Sequence, residues 1–155
     1  MRSLLSTLSF VAVCASAVAC GPAMDEKSGD DAKRGGATEI KVDAPFDDRV
    51  SAWQGDNTDW KTFELAQRAR VLVKVWWDNP EIEATVVVRG MSAKPAKLLK
   101  HTRGTRSETI GPVDLDEGKW FIQVRASDGA SVYTMEVSTG RAPKGKGGGG
   151  DLPDF

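Results

Sequence analysis

The chain has 155 residues, with 21 lysines and arginines against 22 acids, one histidine and two cysteines. So even a charge balance argues against a nucleic-acid binder, which concentrates a basic excess on one face, though it leaves local patches open. A single histidine, with no cysteine after residue 20, excludes most zinc sites and the thiol or histidine triads built within one chain.

Met1 and Arg2 precede a stretch of apolar or small residues from Leu4 to Val18, and the composition turns polar after Gly21 and Pro22. A short basic start, about 15 apolar residues and small residues at the cut read as a secretory signal, too short for a spanning helix. Ala17-Val18-Ala19-Cys20 resembles the bacterial lipobox, with Ala17 where that family usually has leucine. On that resemblance residues 1–19 are removed and Cys20 becomes the lipidated first residue of the mature protein. The alternative is ordinary cleavage after Ala17 or Ala19, leaving Cys20 a free thiol. Cys14 lies inside the signal, so after cleavage Cys20 has no internal partner. A diacyl group plus an amide-linked chain is enough for stable anchoring without a transmembrane helix. In enterobacterial lipoproteins an aspartate after the cysteine favours inner-membrane retention. Gly21 stands there instead, so the resemblance implies the outer membrane. Residues 20–38 offer almost nothing to bury and read as a flexible linker.

From residue 39 the signals are those of strands. Arg49 to Trp53 and Trp60 to Leu65 come first. Val71-Leu72-Val73-Lys74-Val75-Trp76-Trp77 alternates at period two and ends at the turn signal Asp78-Asn79-Pro80. Ala84 to Arg89 is stopped by Gly90, and Glu108 to Leu115 follows. Gly118 opens a strand in which Trp120, Ile122 and Val124 alternate with Phe121, Gln123 and Arg125. After the Ser127-Asp128-Gly129 turn, Tyr133, Met135 and Val137 alternate with Thr134, Glu136 and Ser138. Short alternating runs without a long helix predict one antiparallel sandwich or barrel over residues 39–140. Residues 141–155 form a Gly-rich tail, in which Leu152 and Phe155 could dock as a short peptide.

Gly55-Asp56-Asn57-Thr58-Asp59-Trp60 with Phe63 and Leu65 resembles the opening motif of pre-peptidase C-terminal (PPC-like) domains. Gly118-Lys119-Trp120-Phe121-Ile122-Gln123-Val124 and Tyr133-Thr134-Met135-Glu136-Val137 resemble their later strands, in the same order. The pattern departs at Lys61, where the family more often has an aromatic. The resemblance covers roughly residues 45–138 and implies a small antiparallel jelly-roll-like β-sandwich, acting as a binding or spacer module rather than an active site.

Asp56, Asn57 and Asp59 are closely spaced oxygen ligands of the kind Ca²⁺ takes, which some PPC-like domains bind. Asp114, Asp116 and Glu117 could join them if the loops meet. Equally, Asp and Asn close turns on their own backbone. Lys94, Lys97, Lys100, Arg103 and Arg106 recur at every third residue, around Pro95 and Gly104, which disfavour a helix. The reading is an extended basic hairpin or loop, fit for lipid phosphate, acidic polysaccharide or an acidic partner, or simply solvated. His101 within it reads as an exposed loop residue. Trp60, Trp77 and Trp120 suit the core, whereas Trp53 and Trp76 are less easily buried, and Trp76 could stack on a sugar or anchor a protein contact. No nucleophile, acid and base converge, so no catalysis and no cofactor is expected, Ca²⁺ being the one ion considered. The expected function is a lipid-anchored envelope module that binds a partner protein. The assembly surface would be drawn from Trp76, the basic loop and the Leu152–Phe155 peptide; the alternative is a cell-surface glycan- or Ca²⁺-binding module.

Overall fold

The computed structural model describes residues 29–141, apart from 54 and 93. Among them nine strands occur: β1 (Thr38–Glu39), β2 (Pro45–Ser51), β3 (Thr58–Leu65), β4 (Ala69–Trp77), β5 (Glu83–Arg89), β6 (Pro95–Lys100), β7 (Ser107–Leu115), β8 (Gly118–Asp128) and β9 (Ala130–Arg141). They form a five-stranded sheet in the order β1-β3-β8-β5-β6 and a four-stranded sheet in the order β2-β9-β4-β7. β1 runs parallel to β3, and the other pairs are antiparallel. Only β5 and β6 are joined within one sheet; every other connection crosses to the opposing one, giving an all-β sandwich with jelly-roll-like connectivity.

The core is made as the alternation predicts. Val71, Val73, Val75 and Trp77 point inward from β4 and meet Ala84, Val86 and Val88 of β5 and Ile122, Val124 and Ala126 of β8. β-branched side chains dominate because they suit a pleated surface buried on one side. The β8–β9 connection between the sheets turns at Gly129, whose φ of 82° lies in the left-handed region and where a Cβ would stand 3.4 Å from the Ile82 Cα. Both demands favour glycine.

Three expectations change. Residues 29–38, assigned to the linker, instead fold against the sandwich, with two 3₁₀ turns at Asp30–Ala32 and Arg34–Gly36 and Asp31 buried. Their low apolar content hid this, because what holds them is ionic rather than hydrophobic. The basic stretch keeps the extended-hairpin form in its first half, which is β6 at the edge of the five-stranded sheet, paired with β5 from Thr85↔Lys100 to Arg89↔Pro95. Its exposure on an edge erased the alternation that marks half-buried strands, and edge lysines are the usual guard against further pairing. His101 is buried, not exposed: its ring packs at 5.1 Å from that of Trp77, and its two nitrogens face Glu108 and the Pro80 carbonyl. Trp60 points outward from β3, because Asp59, Lys61, Phe63 and Leu65 hold the inward positions. Trp77 is core, while Trp120 is half-buried at the margin, its Nε1 donating to the Asp116 carbonyl at 2.9 Å.

Ile122 is fully buried between the sheets. Ile122→Ala should therefore lower unfolding stability by about 3 kcal/mol, read as a lower urea midpoint with an unchanged slope.

Candidate interaction surfaces and the buried charge network

Most of the chemistry inside the sandwich lies along β3. Lys61 has no solvent exposure, and its ammonium donates to Asp31 of the N-terminal segment and to Asp48 of β2, with the Phe46 ring 5.2 Å away. Two inward positions make this geometry: Lys61 reaches from the five-stranded sheet, and Asp48, opposite Tyr133 in the β2–β9 register, reaches from the four-stranded one. Next to Lys61, Asp59 accepts a hydrogen bond of 2.8 Å from the Tyr133 hydroxyl, again across the sheets.

Burial shifts these groups strongly. It raises Asp59 from 3.8 to about 8, against the opposing pull of Lys61 and of the Tyr133 hydrogen bond, so at neutral pH the carboxyl is mostly protonated. Burial alone would push Lys61 down. The hydrogen bonds it donates to Asp31 and Asp48 outweigh burial and hold the ammonium above the ordinary lysine value. Burial, then the nearby Asp59, raises Tyr133 well above the usual phenol range. These groups are enclosed and mutually satisfied, an arrangement suited to holding sheets together.

The outer faces of the two sheets differ. On the four-stranded sheet, Leu72, Lys74 and Trp76 of β4 point outward, with the Lys74 ammonium 4.4 Å from the Trp76 ring centroid. Trp76 stands in a cross-strand row with Asp47, Thr134 and Ser107. Thr134 donates to Asp47 at 2.6 Å, and Arg70 donates to Asp114 at 3.1 Å. Charges of both signs alternate here. On the five-stranded sheet, Arg125 and Lys100 share a row with Thr58 and Thr85. The next row holds Trp60, Gln123, Val87 and Leu98, and a third holds Thr62, Phe121 and Arg89. Arg89 lies 5.5 Å from the Trp60 ring centroid, and Arg34 and Lys119 lie 5.5 and 5.8 Å from that of Phe121. Two acids, Glu39 and Glu64, occupy the β1–β3 corner, where Glu64 pairs with Lys119 in register.

The residues singled out from the sequence do not converge. Trp76 faces out from one sheet, and Lys94, Lys97 and Lys100 belong to the edge of the other. Arg103 instead pairs with Glu83 at 2.8 Å and Asp128 at 3.3 Å, and Arg106 donates to the Asp78 carbonyl at 3.1 Å, so both fasten loops at one end of the sandwich. Asp56 and Asp59 are buried and Asn57 is exposed, and among the described residues no group of three or more His, Cys, Asp or Glu side chains is placed to hold a metal ion. Cys20, Leu152 and Phe155 lie outside the described residues. The sequence reading missed the Lys61 network, although Lys61 was the one departure in its motif. It also missed Arg89, Lys119 and Arg125, which alternation assigns outward but which share a face only through strand order.

Comparison with solved structures defines the class of fold. The pre-peptidase C-terminal domain of a collagenase from Bacillus anthracis aligns with a TM-score of 0.54 at 21% identity, over 65% of this chain and 93% of that one. The chain thus has a PPC-like fold. Periplasmic inhibitors of g-type lysozyme (PliG) from Aeromonas hydrophila and Salmonella Typhimurium align at a TM-score of 0.40, with 17% and 14% identity, over 67% of this chain and 96% and 98% of theirs. No family model matches the chain, and no curated protein does.

Lys61→Met leaves Asp31 and Asp48 buried without their cation. It should cost about 3 kcal/mol and expose the segment before β1 to proteolysis, measured by denaturation and by limited digestion. Asp59 gives a pH signature. Its folded value of about 8 lies above the ordinary 3.8, so its contribution is complete below about pH 4 and is lost as pH rises towards 8. Asp59→Asn removes that titration, so the urea midpoint of the variant should fall less between pH 5 and pH 8 than that of the wild type.

Proposed function

We propose that the chain is a non-catalytic module of the bacterial envelope, lipid-anchored at Cys20 on the outer membrane, that binds a partner protein through the outer face of its four-stranded sheet. The observation that carries this reading is the setting of Trp76: a half-buried indole near the end of the interior strand β4, stacked by Lys74, with Leu72 further along the same face and Asp47, Thr134 and Ser107 in its row. A large amphipathic side chain ringed by polar groups is the usual composition of a binding hot spot. The buried ionisable groups support the non-catalytic part, since Asp59, Lys61 and Tyr133 are committed to one another across the core. The same row also fits a sugar ring stacked on the indole, with hydroxyls meeting Asp47 and Thr134. This is the second reading.

Crosslinking in native membranes, followed by mass spectrometry, separates the two. A mature N-terminus at Cys20 carrying acyl chains and a recurrent protein crosslinked near Trp76 would support the first reading. In that case Trp76→Ala should weaken the isolated complex by about thirtyfold with unchanged thermal unfolding. Retention on insoluble cell-wall glycan, lost on Trp76→Ala with no recurrent protein, would replace the protein partner by a glycan. An unmodified Cys20 in the soluble fraction would overturn the anchor.

A further inference from the structure

The outer face of the five-stranded sheet holds Arg34, Arg89, Lys100, Lys119 and Arg125 against Glu39, Glu64 and Glu83, the last paired with Arg103; at the β6 edge stand Lys94 and Lys97, Lys97 in register with the inward-facing Val88. Among the described residues none of these seven cations lies within ion-pair distance of a carboxylate, whereas Lys61, Arg68, Arg70, His101 and Arg103 each do. A chain of net charge −1 has therefore gathered an unneutralised basic excess on one face, whereas the opposite face intersperses signs as a solvated surface does. Trp60 and Leu98 lie within it as apolar relief, Leu98 being 55% exposed.

The course of the chain says what this face meets. Asp31 is pinned between the sheets by Lys61, and three residues later Arg34 lies across Phe121 and donates to the Met91 carbonyl at 3.1 Å. Gly29, the first described residue, stands two positions before Asp31 at this seam and five before Arg34 on the basic face. Eleven peptide steps separate Cys20 from Asp31, and at no more than about 3.5 Å each they reach less than about 40 Å. The nine residues of β4 span about 30 Å, so the domain stays within about its own length of the bilayer.

We infer that the outer face of the five-stranded sheet docks on the anionic phospholipid headgroups of the membrane that holds Cys20. This rests on the reading that Cys20 is lipidated. Each lysine or arginine brought to an anionic surface adds roughly fivefold to affinity, and tethering makes even weak headgroup affinity effective by raising local concentration. Trp60, with an apolar body and a polar edge, suits the headgroup level. Docked this way, the sandwich turns the Trp76 face away from the membrane, towards a partner.

The test uses the full mature chain, residues 20–155, with Cys20→Ser so that the face acts without lipid. Sedimentation with vesicles of equal parts phosphatidylglycerol and phosphatidylcholine should carry the protein down, and pure phosphatidylcholine should not. Partition should fall as salt is raised, since the screening length shrinks from about 10 Å at 0.1 M to about 3 Å at 1 M. Lys100→Gln with Arg125→Gln, both exposed, should lose about 25-fold in partition with unchanged thermal unfolding, and Trp76→Ala should lose none. Equal partition into both vesicles, or indifference to the double substitution, overturns the inference even where Cys20 carries acyl chains. Retention on polyglutamate with no vesicle binding assigns the face to an acidic protein and overturns it as well. An unacylated Cys20 in native membranes overturns the anchor whatever the vesicles show.

Discussion

Lys61 stands on the inward side of β3 with no exposure to solvent. An isolated ammonium there would cost more than the whole net stability of a domain of this size. Two carboxylates answer it, and neither belongs to its own strand: Asp48 comes from β2 of the opposing sheet, and Asp31 from the turn before β1. Each brings a piece of backbone with it. The first closes the seam between the sheets on the side where β1 and β2 are edges, and the second folds ten otherwise featureless residues onto the sandwich. An aromatic at position 61, as the resembling family more often has, would fill the same space and make no demand on Asp31. A third acid so near would add repulsion, and Asp59 avoids it by holding its proton and bonding to Tyr133.

The same network ties structure to function. On the anchoring proposed above, a domain fastened at Asp31 is joined to Cys20 by eleven peptide steps, and its orientation at the membrane then depends on which of its faces the bilayer attracts. The two outer faces differ in kind. One gathers a cationic excess whose members make no ion pair, and the other sets Leu72 and Trp76 among paired charges. Strand order produces the difference: β8 lies between β3 and β5, so Arg125 and Lys119 meet Arg89 and Lys100 on one side, while their inward neighbours Ile122 and Val124 fill the core.

Much of the sandwich was legible in the sequence, and the exceptions share a cause. β4, β5, β7, β8 and β9 were read from alternation because each has a face of Val, Ile, Leu or aromatic residues turned to the core. β6 was legible only as one arm of an extended basic hairpin, because it is exposed on both sides over most of its length and has no apolar period to detect. In β3 the alternation was visible but its sense was inverted, since the outward set holds Trp60 while the inward set holds Asp59 and Lys61. Hydrophobicity cannot rank those two sets; only the partners can. His101 was misread for the same reason, a polar ring buried by the contacts it makes with Trp77, Glu108 and Pro80.

The strands, the turns between them and the one-domain extent are written locally, because period-two alternation and turn chemistry act over a few residues. What lies under Lys61 is not. Its two carboxylates are 13 and 30 residues away in the chain, and nothing near position 61 names them. Nor does any local pattern say that Lys100, Arg125 and Arg89 share a face, or that Trp76 stands on the other side from them. Those facts belong to strand order and register, which the tertiary fold decides because the energies that select them, core packing and the pairing of buried charge, are sums over segments far apart in the chain.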